Sequence, residues 1–368
     1  MKIARILAHR ADLPLVEGSY KWSGGKSATV FESTIVGAET ACGLFGYGEV
    51  CAFGPFYLPA YAEGLRAGLC ERGPHLLGFD PGELSKLNPR MDAALKGHPE
   101  VKSGIDIVCW DIPGHSTGLP LCRLIGRRFG ESVPMYRAIS QQTPEEMAKS
   151  VQTCRDQRST RFPLKVGGDP DADIKHMRAV RATLLPTARL VADATLGWMQ
   201  HEAIRLVRAV RDFDVYIEQP CLTCEDCLVV RRNTDRLVLL DENVDGIEML
   251  LRAKADLAMD AVNLKISKLG GLTKTQQSRD PGVSLGIAMT LEVTWGGDVT
   301  TAAIAHRGLS TPEEVRFSRT DFNSFQAICT ATDSPPRENG LMRASTSPGL
   351  DVAARRNVID ERVVKVAC

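Results

Sequence analysis

Six ionisable residues, each at the end of a short apolar run, recur at the interval of one strand–helix unit. Lys165, Asp193, Glu218, Asp241, Lys265 and Glu292 are separated by 28, 25, 23, 24 and 27 residues. The runs that carry them are FPLKV, RLVAD, VYIEQP, LVLLDE, VNLKIS and IAMTLE, and VPMYRAI from residue 133 precedes them. All are short and suit strands buried on both faces. Amphipathic intervals such as HEAIRLVRAVRDF at 201–213 supply helices between them. Strands alternating with helices argue for parallel βαβ units, and about eight such units for a closed barrel. The C-terminal strand ends of a barrel converge on one mouth, so residues far apart in sequence become neighbours there. Taken singly, each anchor reads as a surface charge at the start of a loop. Six in register do not.

The chain before about residue 125 has a different texture. TVFESTIV at 29–36 and GLFGYGEV at 43–50 alternate as antiparallel strands do, with a turn between Gly37 and Gly43. Helical stretches follow near 59–77 and 84–95. A third, KSGIDIVCWDIPG from Lys102 to Gly114, is expected to stop at Pro113. Strands followed by helices make an α+β module.

Composition narrows the function. The 45 Lys and Arg balance 45 Asp and Glu, so no overall basic field invites nucleic acid and any catalytic electrostatics must be local. No stretch approaches the roughly 18 uninterrupted apolar residues of a membrane span. The opening MKIARILAHRADLP, with Arg5, His9, Arg10 and Asp12, is unlike a signal peptide. Eleven scattered cysteines in a chain this long indicate reduced thiols and a cytoplasmic location. Cys221, Cys224 and Cys227 have a metal-like spacing but lack a fourth ligand, and are read as small residues near a helix start.

Three consecutive anchors, Asp193, Glu218 and Asp241, are carboxylates, which suit a hard divalent cation. Lys165 and Lys265 flank them. A lysine close to a bound cation and poorly solvated is expected to have a lowered pKa and to act as a base near neutrality. This is the equipment for removing a proton next to a carboxylate, because the ion stabilises the second negative charge as the enediolate forms. Protonation from the opposite face would then invert the centre, whereas a β-leaving group would allow elimination.

VADA around Asp193, YIEQP around Glu218, LLDE around Asp241, FPLKVGG around Lys165 and NLKISKLGGLT around Lys265 resemble the enolase superfamily, in its muconate-lactonising and mandelate-racemase-like branch. GIDIVCWDIPG resembles that family's capping domain. The resemblance implies an α/β fold: a modified TIM barrel, (β/α)7β, with an N-terminal α+β capping domain. Residues 1–125 would form the cap, 126–350 the barrel, and 351–368 a C-terminal segment returning to the cap. It further implies one Mg²⁺ per subunit on Asp193, Glu218 and Asp241, with Mn²⁺ as an alternative, Lys165 and Lys265 as the acid/base pair, and a homo-oligomer. GEVCAFGPFYLPAY and WGGDVTTAAIAH resemble members acting on proline derivatives, the cis-3-hydroxy-L-proline dehydratases and proline betaine 2-epimerases. The partner is then a small carboxylate or amino acid. Phe56, Tyr57 and Trp295 would offer aromatic faces to a ring ammonium, and Glu292 a charge-assisted contact.

Several positions depart from the family pattern. Pro163 replaces the first lysine of a KxK pair. Thr195 stands where an asparagine amide is usual. Val293 and Thr294 replace a more polar stretch, which predicts one substrate contact fewer. Pro281 is expected to interrupt a helix at a cost of about 3 kcal/mol. His98 and His306 are read as structural, the glycine pairs Gly167–Gly168 and Gly270–Gly271 as tight turns after strands, and Lys268 as a secondary contact near the mouth. Three readings stand: dehydration of cis-3-hydroxy-L-proline, 2-epimerisation of proline, hydroxyproline or proline betaine, and a barrel that has lost catalysis and only binds.

Overall fold

A computed structural model describes residues 1–359 and 362–367; Asp360, Glu361 and Cys368 of the expected C-terminal segment lie outside them. Its centre is a parallel sheet of seven strands in sequence order: Arg161–Lys165, Arg189–Asp193, Tyr216–Glu218, Leu237–Leu240, Ala261–Lys265, Ala288–Glu292 and Arg316–Ser318. Residues 136–139 close the gap between the first and last of these. On one side Arg137 N donates to Arg161 O at 3.0 Å and Ile139 N to Pro163 O at 2.8 Å; on the other Tyr136 N donates to Arg319 O at 2.7 Å. The sheet therefore curls into a barrel.

A helix follows every stave except the last, beginning with Pro144–Asp156 after the closing residues and ending with Asp298–Leu309. The start of the first is written locally: the Thr143 hydroxyl accepts from Glu146 N, the Glu146 side chain reaches back to Thr143 N, and proline occupies the first turn. Apolar residues between strands and helices, among them Phe162, Leu164, Ile217, Val262 and Leu291, form the main core. Cys221, Cys224 and Cys227 are packed into it.

The expectation that residues 133–139 form one strand needs correction. Val133–Pro134 pairs antiparallel with Leu341–Met342, and only the residues after it enter the barrel. Two prolines also behave differently from expectation. The helix Pro99–Thr117 runs through Pro113 and ends at Gly118, whose φ of 70° suits glycine and whose N–H returns to Gly114 O. The helix Leu272–Ser284 likewise contains Pro281. Each proline removes one backbone donor, but the first helix is buried along most of its length and packing offsets the loss.

In the N-terminal region, Ile3–Pro14, Val30–Thr40 and Phe45–Val50 form an antiparallel sheet, and Arg362–Ala367 adds a strand beside the first. The turn predicted from Gly37 lies further on, because the strand continues to Thr40. A Cβ at Gly37 would come within 2.6 Å of the Phe45 ring, so glycine here makes room for a cross-strand aromatic and does not mark a bend. The helices Ala62–Leu76 and Pro99–Thr117 pack against this sheet, and Leu84–Ala94 packs against those two helices. Among the described residues no helix is long and apolar enough to cross a membrane.

Candidate active site

Strand register assembles the site. Lys165, Asp193 and Glu218 are Cα partners across three adjacent strands, and Lys265 stands beside Glu292. Asp241 directly follows Leu237–Leu240. Side chains alternate along a strand, so the residue two positions before each anchor also faces inward. Pro163, Val191, Asn263 and Thr290 accordingly line one cavity with Lys165, Asp193, Glu218, Lys265 and Glu292. Asp241 lies just behind that wall, 2% exposed. The cavity is small, about 50 Å³.

The two lysines sit in unlike surroundings. Lys165 Nζ bonds the Asp193 carboxylate and lies 3.3 Å from Thr195 Oγ1. Lys265 Nζ is 2.6 Å from Asp241 Oδ2 and 3.4 Å from Glu292 Oε1, and it bonds the Tyr57 hydroxyl. Burial disfavours both ammonium groups, but the carboxylate of Asp193 at Lys165, and those of Asp241 and Glu292 at Lys265, outweigh it and hold both above the ordinary lysine range. The expected lowering is thus not produced by the protein's own groups.

Burial also works against the charge of Asp241, yet Lys265 and Lys268 more than offset it and bring its carboxyl to about 2. Lys268 Nζ lies 2.9 Å from Asp241 Oδ1. Glu218 is the opposite case: burial, then the neighbouring charges of Asp193 and Asp241, push it well above the carboxylate range. Its side-chain partner is Asn263 Nδ2 at 3.4 Å, which also donates to Glu292 Oε1 at 2.6 Å. Among the described residues no three acidic, histidine or cysteine side chains stand close enough together to hold an ion as placed. The donor set nevertheless fits a hard divalent cation: three carboxylates from neighbouring strands, one of them destabilised by like charge that a cation would relieve.

Among the substrate-contact candidates, Tyr57, Trp295 and Glu292 line the cavity. Phe56 does not; it is 54% exposed on the cap loop, with its ring 5.7 Å from that of Trp22. Trp295 instead joins Tyr20, Phe53, Phe322 and Phe325 in an aromatic wall, and with the Gln326 amide turned so that its oxygen faces the indole, Trp295 Nε1 donates to that oxygen at 2.8 Å.

Two departures from the family pattern turn out to be wired in. Thr195, at a φ of 47°, donates to Asp193 Oδ1 from its N–H at 2.9 Å and its hydroxyl at 2.8 Å. Thr294 lies on the cavity wall with its hydroxyl donating to Glu100 at 2.8 Å. His306 is buried, and burial lowers its imidazole to about 4 while Nδ1 accepts from Cys122 N at 3.2 Å.

Several residues at the site escaped sequence reasoning. Tyr136 bonds Glu292. Gln219, in the left-handed region at φ 37°, accepts from Asp241 N at 2.9 Å and so ties the strand bearing Glu218 to the next carboxylate. Asn263 carried a usable signal, since its place two residues before Lys265 sets both on the same strand face.

A barrel whose strand ends carry acids between two lysines, closed by an α+β module, defines a protein of the enolase type. Residues 146–358 match the enolase C-terminal domain-like family and residues 26–126 the N-terminal domain of mandelate racemase/muconate lactonizing enzyme, and the chain belongs to that family. It is 50% identical over 365 residues, 99% of this chain and 100% of the relative, to a cis-3-hydroxy-L-proline dehydratase of Roseibium aggregatum. A mandelate racemase/muconate lactonizing enzyme from Roseovarius nubinhibens superposes with a TM-score of 0.97 at 37% identity, covering 100% of this chain and 99% of that one. A member of the enolase superfamily from the same organism, complexed with magnesium, gives 0.93 at 35% identity over 100% and 99%.

Proposed function

We propose that the chain dehydrates cis-3-hydroxy-L-proline. One amine of the pair Lys165 and Lys265 takes the α-proton, the other gives a proton to the 3-hydroxyl, the C3–O bond breaks and a C2–C3 double bond forms. Water leaves, and the resulting enamine tautomerises to Δ1-pyrroline-2-carboxylate. The observation that carries this is the pair of amines on opposite flanks of the carboxylates in one small cavity. In the cis isomer the hydroxyl shares a ring face with the carboxylate, so the α-hydrogen lies on the other face. Base and acid must then come from opposite sides, as two flanking lysines allow. The dehydratase relative at 50% identity supports the substrate.

Asp193, Glu218 and Asp241 would hold the Mg²⁺, which when bound supplies positive charge against the second negative charge of the deprotonated substrate. Thr195 and Lys268 steady two of those carboxylates. Tyr57 and the aromatic wall close the cavity and exclude water. Among the described residues every cysteine is free, in keeping with a cytoplasmic enzyme. The division at residues 125 and 350 and a homo-oligomeric state belong to the same proposal.

The test is incubation in D₂O with cis-3-hydroxy-L-proline and, separately, with proline betaine, followed by NMR. Pyrroline product from the first supports dehydration. Deuterium at the α-carbon without loss of water would replace this reading with a 2-epimerase, and inertness toward both would favour a barrel that only binds.

A further inference from the structure

The buried carboxylate of Glu100 has no part in the chemistry above. It is the second residue of the cap helix Pro99–Thr117, is 2% exposed, and points across the seam into the barrel. Its Oε1 accepts from Thr294 Oγ1 at 2.8 Å. Its Oε2 is buried and has no hydrogen-bond partner among the described residues. A half-satisfied buried carboxylate is costly, and a purely structural role is served as well by an amide or an apolar side chain.

Thr294 connects this carboxylate to the cavity it lines. Its single hydroxyl proton is committed to Glu100. The Ser267 hydroxyl, 2.5 Å away and also hydrogen-bonded to the Glu100 carboxyl, gives Thr294 Oγ1 at most one further bond, while Thr294 N donates to Ser267 Oγ at 2.8 Å. The threonine oxygen then keeps one lone pair, made electron-rich by the anion behind it. Burial raises the Glu100 carboxyl to about 7, opposed by Thr294 and then by Lys265, so a positive charge arriving at Thr294 favours the ionised form that makes this acceptor strong.

We infer that Thr294, polarised by Glu100, is the acceptor for an N–H of the substrate's ring ammonium, and that the pair selects amino acids with a free secondary ammonium over N,N-dimethylated betaines. Thr294 is the binding residue; Glu100 is a positioning residue acting through it. This rests on the proposed substrate class. It differs from attraction to the aromatic wall, which accepts a quaternary ammonium equally well because only charge and contact area matter there. A betaine has no N–H to give, so it loses the contact and leaves the polarised oxygen unpaired, a penalty that hydrogen-bonding sites turn into discrimination.

The experiment titrates wild-type, Thr294→Val, Thr294→Ser and Glu100→Gln enzyme with L-proline and with N,N-dimethyl-L-proline in the presence of Mg²⁺, following tryptophan fluorescence. Wild type should prefer L-proline. Thr294→Val should weaken L-proline binding by about tenfold and Glu100→Gln by about threefold, with betaine binding unchanged in both. Thr294→Ser, which keeps the hydroxyl, should retain the preference, separating loss of the acceptor from disturbed packing. Equal loss of both ligands, or an unchanged ratio in Thr294→Val, overturns the inference. Should wild type bind L-proline but fail to dehydrate cis-3-hydroxy-L-proline, the functional reading fails and the titration still decides this one; binding of neither ligand overturns both.

Discussion

The seam between cap and barrel buries carboxylates as deeply as the mouth does, but it holds them with different partners. In the seam, Glu49 accepts from Gly297 N at 2.7 Å, Thr300 N at 3.0 Å and Ser33 Oγ at 2.7 Å. Asp106 accepts from Thr273 N at 3.0 Å and its hydroxyl at 2.6 Å; beside Gly297, within the barrel, Asp298 accepts from Thr330 N at 2.6 Å and Ala331 N at 2.9 Å. Apart from Glu100, which is held by the Thr294 hydroxyl, these carboxylates are held largely by backbone groups that cannot leave. In the mouth, Asp193 and Asp241 are held largely by ammonium groups and hydroxyls on side chains, and Glu218 by one long amide contact. Such partners can be exchanged for a cation or a substrate without unfolding anything. Buried charge alone therefore does not mark the site; exchangeable partners do.

The comparison breaks most visibly if mouth residues prove structural. Lys265→Ala and Lys165→Ala are each expected to lower turnover by about 10³- to 10⁴-fold, the scale of a lost general acid or base, while thermal unfolding stays close to wild type. A variant that unfolds in parallel would move that lysine into the structural group. Glu218→Gln is expected to abolish stoichiometric Mg²⁺ uptake in calorimetric titration without loss of fold, since it removes a ligand whose charge the protein alone barely compensates.

The seam makes the reverse prediction. Glu49→Ala leaves the N–H groups of Gly297 and Thr300 without their acceptor at the start of the helix Asp298–Leu309, and is expected to cost about 3 kcal/mol of stability in denaturant unfolding. Substrate affinity in the folded fraction should change little. Asp106 sharpens the contrast through pH. Burial raises its carboxyl from 3.8 to about 6, so the fold favours the protonated form. That stability is full below about pH 4 and is lost as pH rises through about 6. Asp106→Asn is neutral throughout, so its stability relative to wild type should improve by roughly 2–3 kcal/mol between pH 4 and pH 7. A flat difference across that range would remove Asp106 from the buried seam group.

What the sequence made legible follows from the same distinction. The anchors could be read because a parallel barrel converts a spacing of one strand–helix unit into spatial adjacency, so six residues far apart in sequence carried a local signal. The seam had none: Glu49 meets Gly297 and Glu100 meets Thr294 across some 200 residues or more, and nothing near either glutamate announces its partner. The prolines misled for a related reason, since Pro113 stops a helix on local energetics while the burial that overrides it is tertiary. Lys268 was placed near the mouth, but its grip on Asp241 depends on the turn that Ile266–Leu269 makes after Lys265.

The smallest effects separate two neighbouring residues that look alike in sequence. Phe56 and Tyr57 both present aromatic rings on the cap loop, yet only Tyr57 reaches the mouth, where its hydroxyl bonds Lys265 and lies 3.2 Å from Asp241 Oδ2. Tyr57→Phe keeps the ring and removes one hydrogen bond shared by an amine and a carboxylate, so turnover should fall by about tenfold with affinity little changed. Phe56→Ala removes an exposed ring outside the cavity and should alter both kinetic constants by less than about twofold. The pair is a stringent check on the cap's placement because the residues are adjacent: equal effects would mean that the loop seats Phe56 over the substrate in the working enzyme, and that the cap closes further onto the barrel than the geometry of Tyr57 implies.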